Sequence, residues 1–99
     1  MIRPMERYYG ALSDYLIARA AVGERQITFT FAELESAILS HPLPRTARHP
    51  RGHRQWWRGN GASYPHAWYG WQRVGWTVEV VELATETVTF GRVGGATSP

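Results

Sequence analysis

Between Ser36 and Val78 the chain has no aspartate or glutamate, yet this stretch holds six of its eleven arginines, all four histidines and all five tryptophans. The acidic residues flank it: Glu6, Asp14, Glu24, Glu33 and Glu35 before, Glu79, Glu82 and Glu86 after. With the five remaining arginines, the ends carry −3 and the block +6, which gives the chain's +3. Two constraints follow. A domain of 99 residues buries only a modest core, so tryptophans from the block must supply part of it. The block's cations must also find counter-charge on the flanking segments or on an external polyanion.

The length predicts one domain over residues 1–93, with a loose tail, GGATSP, over 94–99. No apolar run approaches the roughly 20 residues that cross a bilayer. The N-terminus shows no signal-peptide pattern, so a cytoplasmic, bacterial protein with no membrane partner is expected. Without cysteine there is neither a disulfide framework nor a thiolate metal site. Lysine is also missing, so every cation apart from the histidines is a guanidinium. That group stays charged, grips phosphate through paired donors and stacks on aromatic rings.

From Met5 to Ala20 the apolar positions Tyr8, Leu12, Tyr15, Leu16 and Ala20 have helical spacing, and Gly23 ends the helix. Gln26 to Thr30 alternates as a short strand, with Ile27 and Phe29 on one face. Thr30-Phe31-Ala32-Glu33 has the form of a capping box, which predicts a second helix with Leu34, Ala37 and Ile38 buried. Pro42 and Pro44 stop it. His41 to Ala62 then has room for little more than one short helix around Arg54 to Arg58, and a connection so long is usually functional or disordered. Pro65 suits the first turn of a third helix, with Trp68, Trp71 and Val74 on its buried face and Gly75 at its end. Trp76 to Leu83, with Val78 and Val80 on one face, and Thr87 to Val93 predict a hairpin.

The predicted class is therefore α+β, in the order α-β-α-(long basic loop)-α-β-β with a small antiparallel sheet. That is a winged-helix-like order, except that the loop replaces a turn of three or four residues. The alternative is a sandwich with helices on one face of a three-stranded sheet.

Six phrases read together (Tyr15-Leu16, ITFTFAELESAI, LPRTAR, QWWRGN, AWYGWQRVGWTV and VTFGR) resemble a family of small, largely uncharacterised bacterial domains. The family pattern runs LTF-x-E-[IL]-E, LP-x-[ST]-A, WW-x-N, AW-x-x-x-GW-x-V and V-x-F-x-R. The resemblance spans roughly residues 8 to 92, and its most distinctive element is Trp56-Trp57 followed by Asn60. Ser40 stands where a helix-ending glycine is expected, RHPRGHR is long, and three motifs are spaced more widely than the pattern, with three residues between Phe29 and Glu33, two between Trp57 and Asn60 and six between Trp68 and Gly75. The resemblance implies a fold rather than an activity.

Arg45, Arg48, Arg51 and Arg54 are spaced by three, so an extended, proline-favoured path would align them along one edge, facing a row of phosphates. Arg58 extends the set. The competing reading has these arginines paired with Glu33, Glu35 or the glutamates of the C-terminal strands. Of Trp56 and Trp57, one is expected in the core; Trp56, with Asn60, is the candidate for contact with a base or sugar. On the third helix, His66, Tyr69, Gln72 and Arg73 form a polar face able to reach base edges.

His49 and His53 lack further metal ligands nearby, and no motif requires a cofactor or identifies a catalytic residue. The expected function is nucleic-acid binding, with double-stranded DNA as partner and RNA as an alternative, by a small bacterial regulator or accessory factor that could pair as a homodimer. A second reading is a metal-independent ribonuclease toxin using Arg54, His53, His66 and Tyr64. A third is a protein-interaction module gripping an acidic partner.

Overall fold

The structure, a computed structural model, describes residues 4–59 and 63–93. The expected tail, 94–99, and Asn60 lie outside the described residues. Helix α1 (Pro4–Ala21) buries Tyr9, Leu12 and Leu16; Tyr8 and Tyr15, expected inside, are exposed. Gly23, at φ 91°, turns the chain into strand β1 (Gln26–Thr30). The capping box forms as the sequence requires. Thr30 Oγ1 accepts from the Glu33 amide at 3.0 Å, and the Glu33 carboxylate accepts from the Thr30 amide at 2.7 Å.

Helix α2 (Phe31–Glu33) does not continue with α-helical bonding; Leu34–Leu39 widens into a π-helical turn. Ser36 Oγ donates to the Ala32 carbonyl at 2.8 Å, competing with the backbone for that acceptor. A wider turn advances each residue through a smaller angle, so the stripe that starts at Leu34 passes Ala37 and reaches Ile38 and Leu39. Leu39 is buried and Ala37 exposed, which corrects the α-helical expectation. The missing glycine is also accounted for. Ser40 itself takes the left-handed conformation that ends the helix, at φ 63°.

The basic segment is folded rather than extended. It contains a 3-10 turn (Arg45–Arg48) and helix α3 (His53–Arg58). Helix α4 (Pro65–Gly70) follows, with Pro65 in its first turn, then a 3-10 turn (Gln72–Val74) ended by Gly75 at φ 86°. Strands β2 (Trp76–Glu82) and β3 (Thr87–Arg92) form the predicted hairpin, and β1 pairs with β3, giving the antiparallel order β1-β3-β2. The chain is thus α+β in the expected order, with an N-terminal helix and a C-terminal hairpin.

One register detail differs from simple alternation. Val78 faces Phe90 and Val80 faces Thr89, so Glu79 is an extra residue, a β-bulge. The bulge reverses the faces beyond it: Val80 is 49% exposed and Val81 turns inward, opposite to expectation. The outer sheet face is polar, with Thr28 bonded to Thr89 and Glu79 to Gln26. The inner face, carrying Phe29, Val78, Val88 and Phe90, meets the helices and tryptophans.

Trp56, Trp57, Trp71 and Trp76 are all buried. Phe31 stacks on Trp57 with ring centroids 5.7 Å apart, and Trp57 on Trp71 at 5.7 Å. Each such indole removes about 150–250 Å² from water, roughly 4–6 kcal/mol gross before the entropy of ordering is subtracted. Trp68 is the exception, 48% exposed, although it was expected beside Trp71. Helix α4 ends at Gly70 and Trp71 has φ −144°, so the two residues never share a helical face. The buried residues of α4 are His66, Ala67 and Gly70.

Candidate nucleic-acid interface

The Arg45–Arg48 turn follows the capped helix after a five-residue link, 40–44. Its position is fixed by Glu35, which accepts from the Leu43 amide at 2.7 Å and from Arg48 Nη1 and Nη2 at 2.7 and 3.2 Å. Arg48 also donates from Nε to Glu86 at 3.3 Å and lies over the Phe31 ring, 5.2 Å from its centroid. These contacts hold the Glu35 carboxyl below the usual carboxylate range, chiefly through the Arg48 hydrogen bonds and against the opposing effect of burial. Arg48 is therefore a bracket between α2, the hairpin turn and the basic segment. Its assignment to phosphate is corrected, and the intramolecular pairing weighed from the sequence holds for this one arginine.

Beneath Arg48, Ala47 is buried and its carbonyl accepts from the Trp57 indole at 2.9 Å. Leu43, Ala47, Trp56 and Trp57 thus bind the segment to the core. Arg45, Arg51, Arg54 and Arg58 point the other way. All four are exposed, and among the described residues none forms an ion pair. Arg54 and Arg58 are four apart on α3 and share a face, with Arg51 in the turn that leads into it. The single extended edge predicted from three-residue spacing is not what the chain makes, because the segment turns helical twice.

The other expected contacts fare differently. Trp56 is 6% exposed and stacks on His66, centroids 4.0 Å apart, so it is part of the interior and not a surface platform. His66 is 8% exposed, and its Nε2 meets the Trp56 carbonyl at 2.7 Å. A carbonyl only accepts, so Nε2 carries the proton and Nδ1 is left an acceptor. Burial lowers the His66 pKa. Gln72 donates to the Gly59 carbonyl at 2.9 Å, tying the end of α3 to the turn after α4. Arg73 donates to Glu6 at 3.2 Å and to Ser13 Oγ at 3.3 Å, and lies over Tyr69, 5.5 Å from the ring centroid. Ser13 in turn donates to the carbonyls of Tyr69 and Gly70, which end α4. The polar face predicted for the third helix is thus spent on holding α4 to α1 and α3. Asn60 is outside the described residues.

The hairpin turn is also committed. The Phe31 amide donates to the Glu86 carbonyl at 2.8 Å, so the tip that a wing would extend toward DNA is docked on α2. Two of the residues named for a ribonuclease are engaged within the fold. His66 is buried, and His53 Nδ1 is turned to the His49 carbonyl at 2.9 Å.

One cavity escaped the sequence reading. About 400 Å³ of space opens between α1, the His41–Pro44 stretch and the Trp56–His66 stack, walled by Tyr8, Tyr9 and His41. The His41 ring stands edge-on to both tyrosines, 5.5 Å from each, and its Nε2 and Nδ1 meet the carbonyls of Tyr8 and Pro42 at 2.8 and 3.1 Å. Burial pushes the Tyr9 hydroxyl up to about 12. Nothing in the primary order of these residues, spread over nearly 60 positions, signals that they meet.

No helix among the described residues is long and apolar enough to cross a membrane. Comparison with known proteins gives one positive result: the model of a domain of unknown function, DUF7662, matches residues 9–94. No curated protein and no solved structure matches the chain.

Proposed function

This chain belongs to the DUF7662 family of domains of unknown function, and we propose that it binds nucleic acid, duplex DNA in the first place, through the exposed arginines of the 45–58 segment. The observation that carries the reading is the contrast within one arginine series. Arg48 satisfies its charge on Glu35 and Glu86, whereas Arg45, Arg51, Arg54 and Arg58 stand exposed without an ion pair among the described residues. Four exposed guanidinium groups on an anchored segment with no carboxylate of its own suit a run of phosphates better than solvent alone.

The interface is led by backbone contacts. Gln72 and Arg73 are engaged internally and His66 is buried, so none of them reaches the groove edge of a duplex base pair. Helix α4 spans six residues, short for an element that must lie along a major groove. Recognition of DNA by charge and shape fits a small cytoplasmic regulator or accessory factor. A mobility-shift titration of duplex DNA against single-stranded RNA tests the reading. Binding at low salt that weakens at least several-fold in an Arg51→Ala, Arg54→Ala double variant supports it. Absence of a shift at low salt, or a shift unchanged in the variant, overturns it.

A further inference from the structure

The cavity beside the basic segment has features of a built site. Tyr9 and His66 are both more than nine-tenths buried and both line it. Among the described residues the Tyr9 hydroxyl has no hydrogen-bond partner, and His66 uses only its Nε2. Neither the hydroxyl nor Nδ1 is among the fully enclosed polar atoms that lack partners, which are the indole nitrogens of Trp71 and Trp76. Both residues line the cavity. A donor and an acceptor without partners among the described residues, on side chains that line a cavity, are groups that a guest can satisfy.

The chemistry of the occupant can be read from the walls. Tyr8, Tyr9, His41 and Trp56 offer aromatic surface, and Pro42 and Pro44 offer flat apolar surface, so a planar ring fits. No carboxylate is among the described lining residues, which argues against a cationic guest, the usual occupant of an aromatic cage. The rings of Tyr9 and His66 lie 5.7 Å apart, one bringing a donor and the other an acceptor. Their complement is a neutral heteroaromatic ring with an N–H beside a carbonyl or ring-nitrogen acceptor. That is the pairing edge of a nucleobase. The rim points the same way, since Pro44 is followed directly by the exposed Arg45, placing a phosphate-binding group next to the opening.

We propose that this cavity is a nucleobase-binding site in which the Tyr9 hydroxyl donates to the base edge and His66 Nδ1 accepts from it. The choice of a nucleobase over other heteroaromatic rings rests on the nucleic-acid reading above; the shape and polarity of the cavity do not. The base could belong to a free nucleotide or be an unpaired base of a bound strand, and both present the same edge.

Calorimetric titration of the full chain at pH 7.5 with uridine, 3-methyluridine and ribose 5-phosphate tests the site. Uridine binding, weakened about 5-fold or more by methylation of N3 and by Tyr9→Phe, with ribose 5-phosphate not binding, is the expected result. Tyr9→Phe keeps the ring that packs on α4, and Trp68→Ala, away from the cavity, serves as a control that leaves the affinity unchanged. Equal affinity for uridine and 3-methyluridine, or no binding of any nucleoside at millimolar concentration, overturns the proposal. A single-stranded hexanucleotide and its abasic counterpart identify the source. Strand binding that drops when the bases are removed places the base on a strand, and tighter binding of the free nucleoside identifies a nucleotide ligand. Strand affinity indifferent to the bases, together with no nucleoside binding, removes the site while leaving arginine-led binding intact. Nucleoside binding without any strand binding does the reverse.

Discussion

Arg48 and Arg54 are chemically identical and six residues apart, yet the fold gives them opposite tasks. Arg48 makes two charge-assisted bonds to Glu35, one to Glu86 and a contact with Phe31. Replacing it with alanine leaves Glu35 without its main partner and is expected to cost about 2 kcal/mol in urea denaturation. Arg54→Ala should leave stability within about 0.5 kcal/mol of the parent and act on DNA affinity instead. Equal stability losses for the two variants would contradict this division. The titrating residues add a second check. Both Glu35 and His66 have folded pKa values below their ordinary ones, so the folded chain binds fewer protons than the unfolded chain. Their stabilisation is complete above the unfolded values and is lost as pH falls, for His66 beginning below about 6.5 and for Glu35 below about 4.3. An NMR titration of the His66 ring should give a midpoint below 6.5; a midpoint at or above it contradicts the buried, neutral imidazole.

Among the elements, the helix that starts at the capping box was the most legible and also the most instructive. Its start is written locally in Thr30 and Glu33, three residues apart, and forms as read. Its course is not, because the π-helical turn over Leu34–Leu39 leaves the α-helical period from which the buried stripe was read. Ser40 carries the cost of ending that turn in the left-handed region. Ser40→Gly is therefore expected to stabilise the protein by about 0.5–1 kcal/mol, seen as a higher urea midpoint with unchanged slope. At the end of α3 the sign reverses. A side chain at Gly59 would run into the Tyr64 ring and the Gln55 carbonyl, so Gly59→Ala should destabilise by about 2 kcal/mol. The strands show the same boundary of legibility. The hairpin follows from alternation, but the bulge at Glu79, which exchanges Val80 for Val81 on the core face, has no local residue signal.

For the whole molecule, the acid-free block resolves into an inner and an outer layer. Trp56, Trp57, Trp71 and His66 turn inward and fuse the long connection to the core, while Arg45, Arg51, Arg54 and Arg58 remain outside. Element order and charge asymmetry were readable because both are properties of the linear chain. Which arginine of the series takes Glu35 and Glu86 was not, nor were the partners of Gln72 and Arg73, since Arg48 meets those glutamates across 13 and 38 positions and Arg73 meets Glu6 across 67. The cavity under His41 was hidden for the same reason. The arginine layer leads to a quantitative expectation. Four phosphate contacts give a log–log salt slope of roughly −3 to −4 for duplex DNA, and each exposed arginine removed lowers it by about 1. Measuring the dissociation constant of a short duplex by fluorescence anisotropy from 50 to 200 mM salt tests this directly. The parent should show the steep slope, Arg54→Ala a slope shallower by about one, and Arg48→Ala, under conditions where it stays folded, the slope of the parent. A slope near zero in the parent, or identical slopes in the parent and Arg54→Ala, would contradict the account.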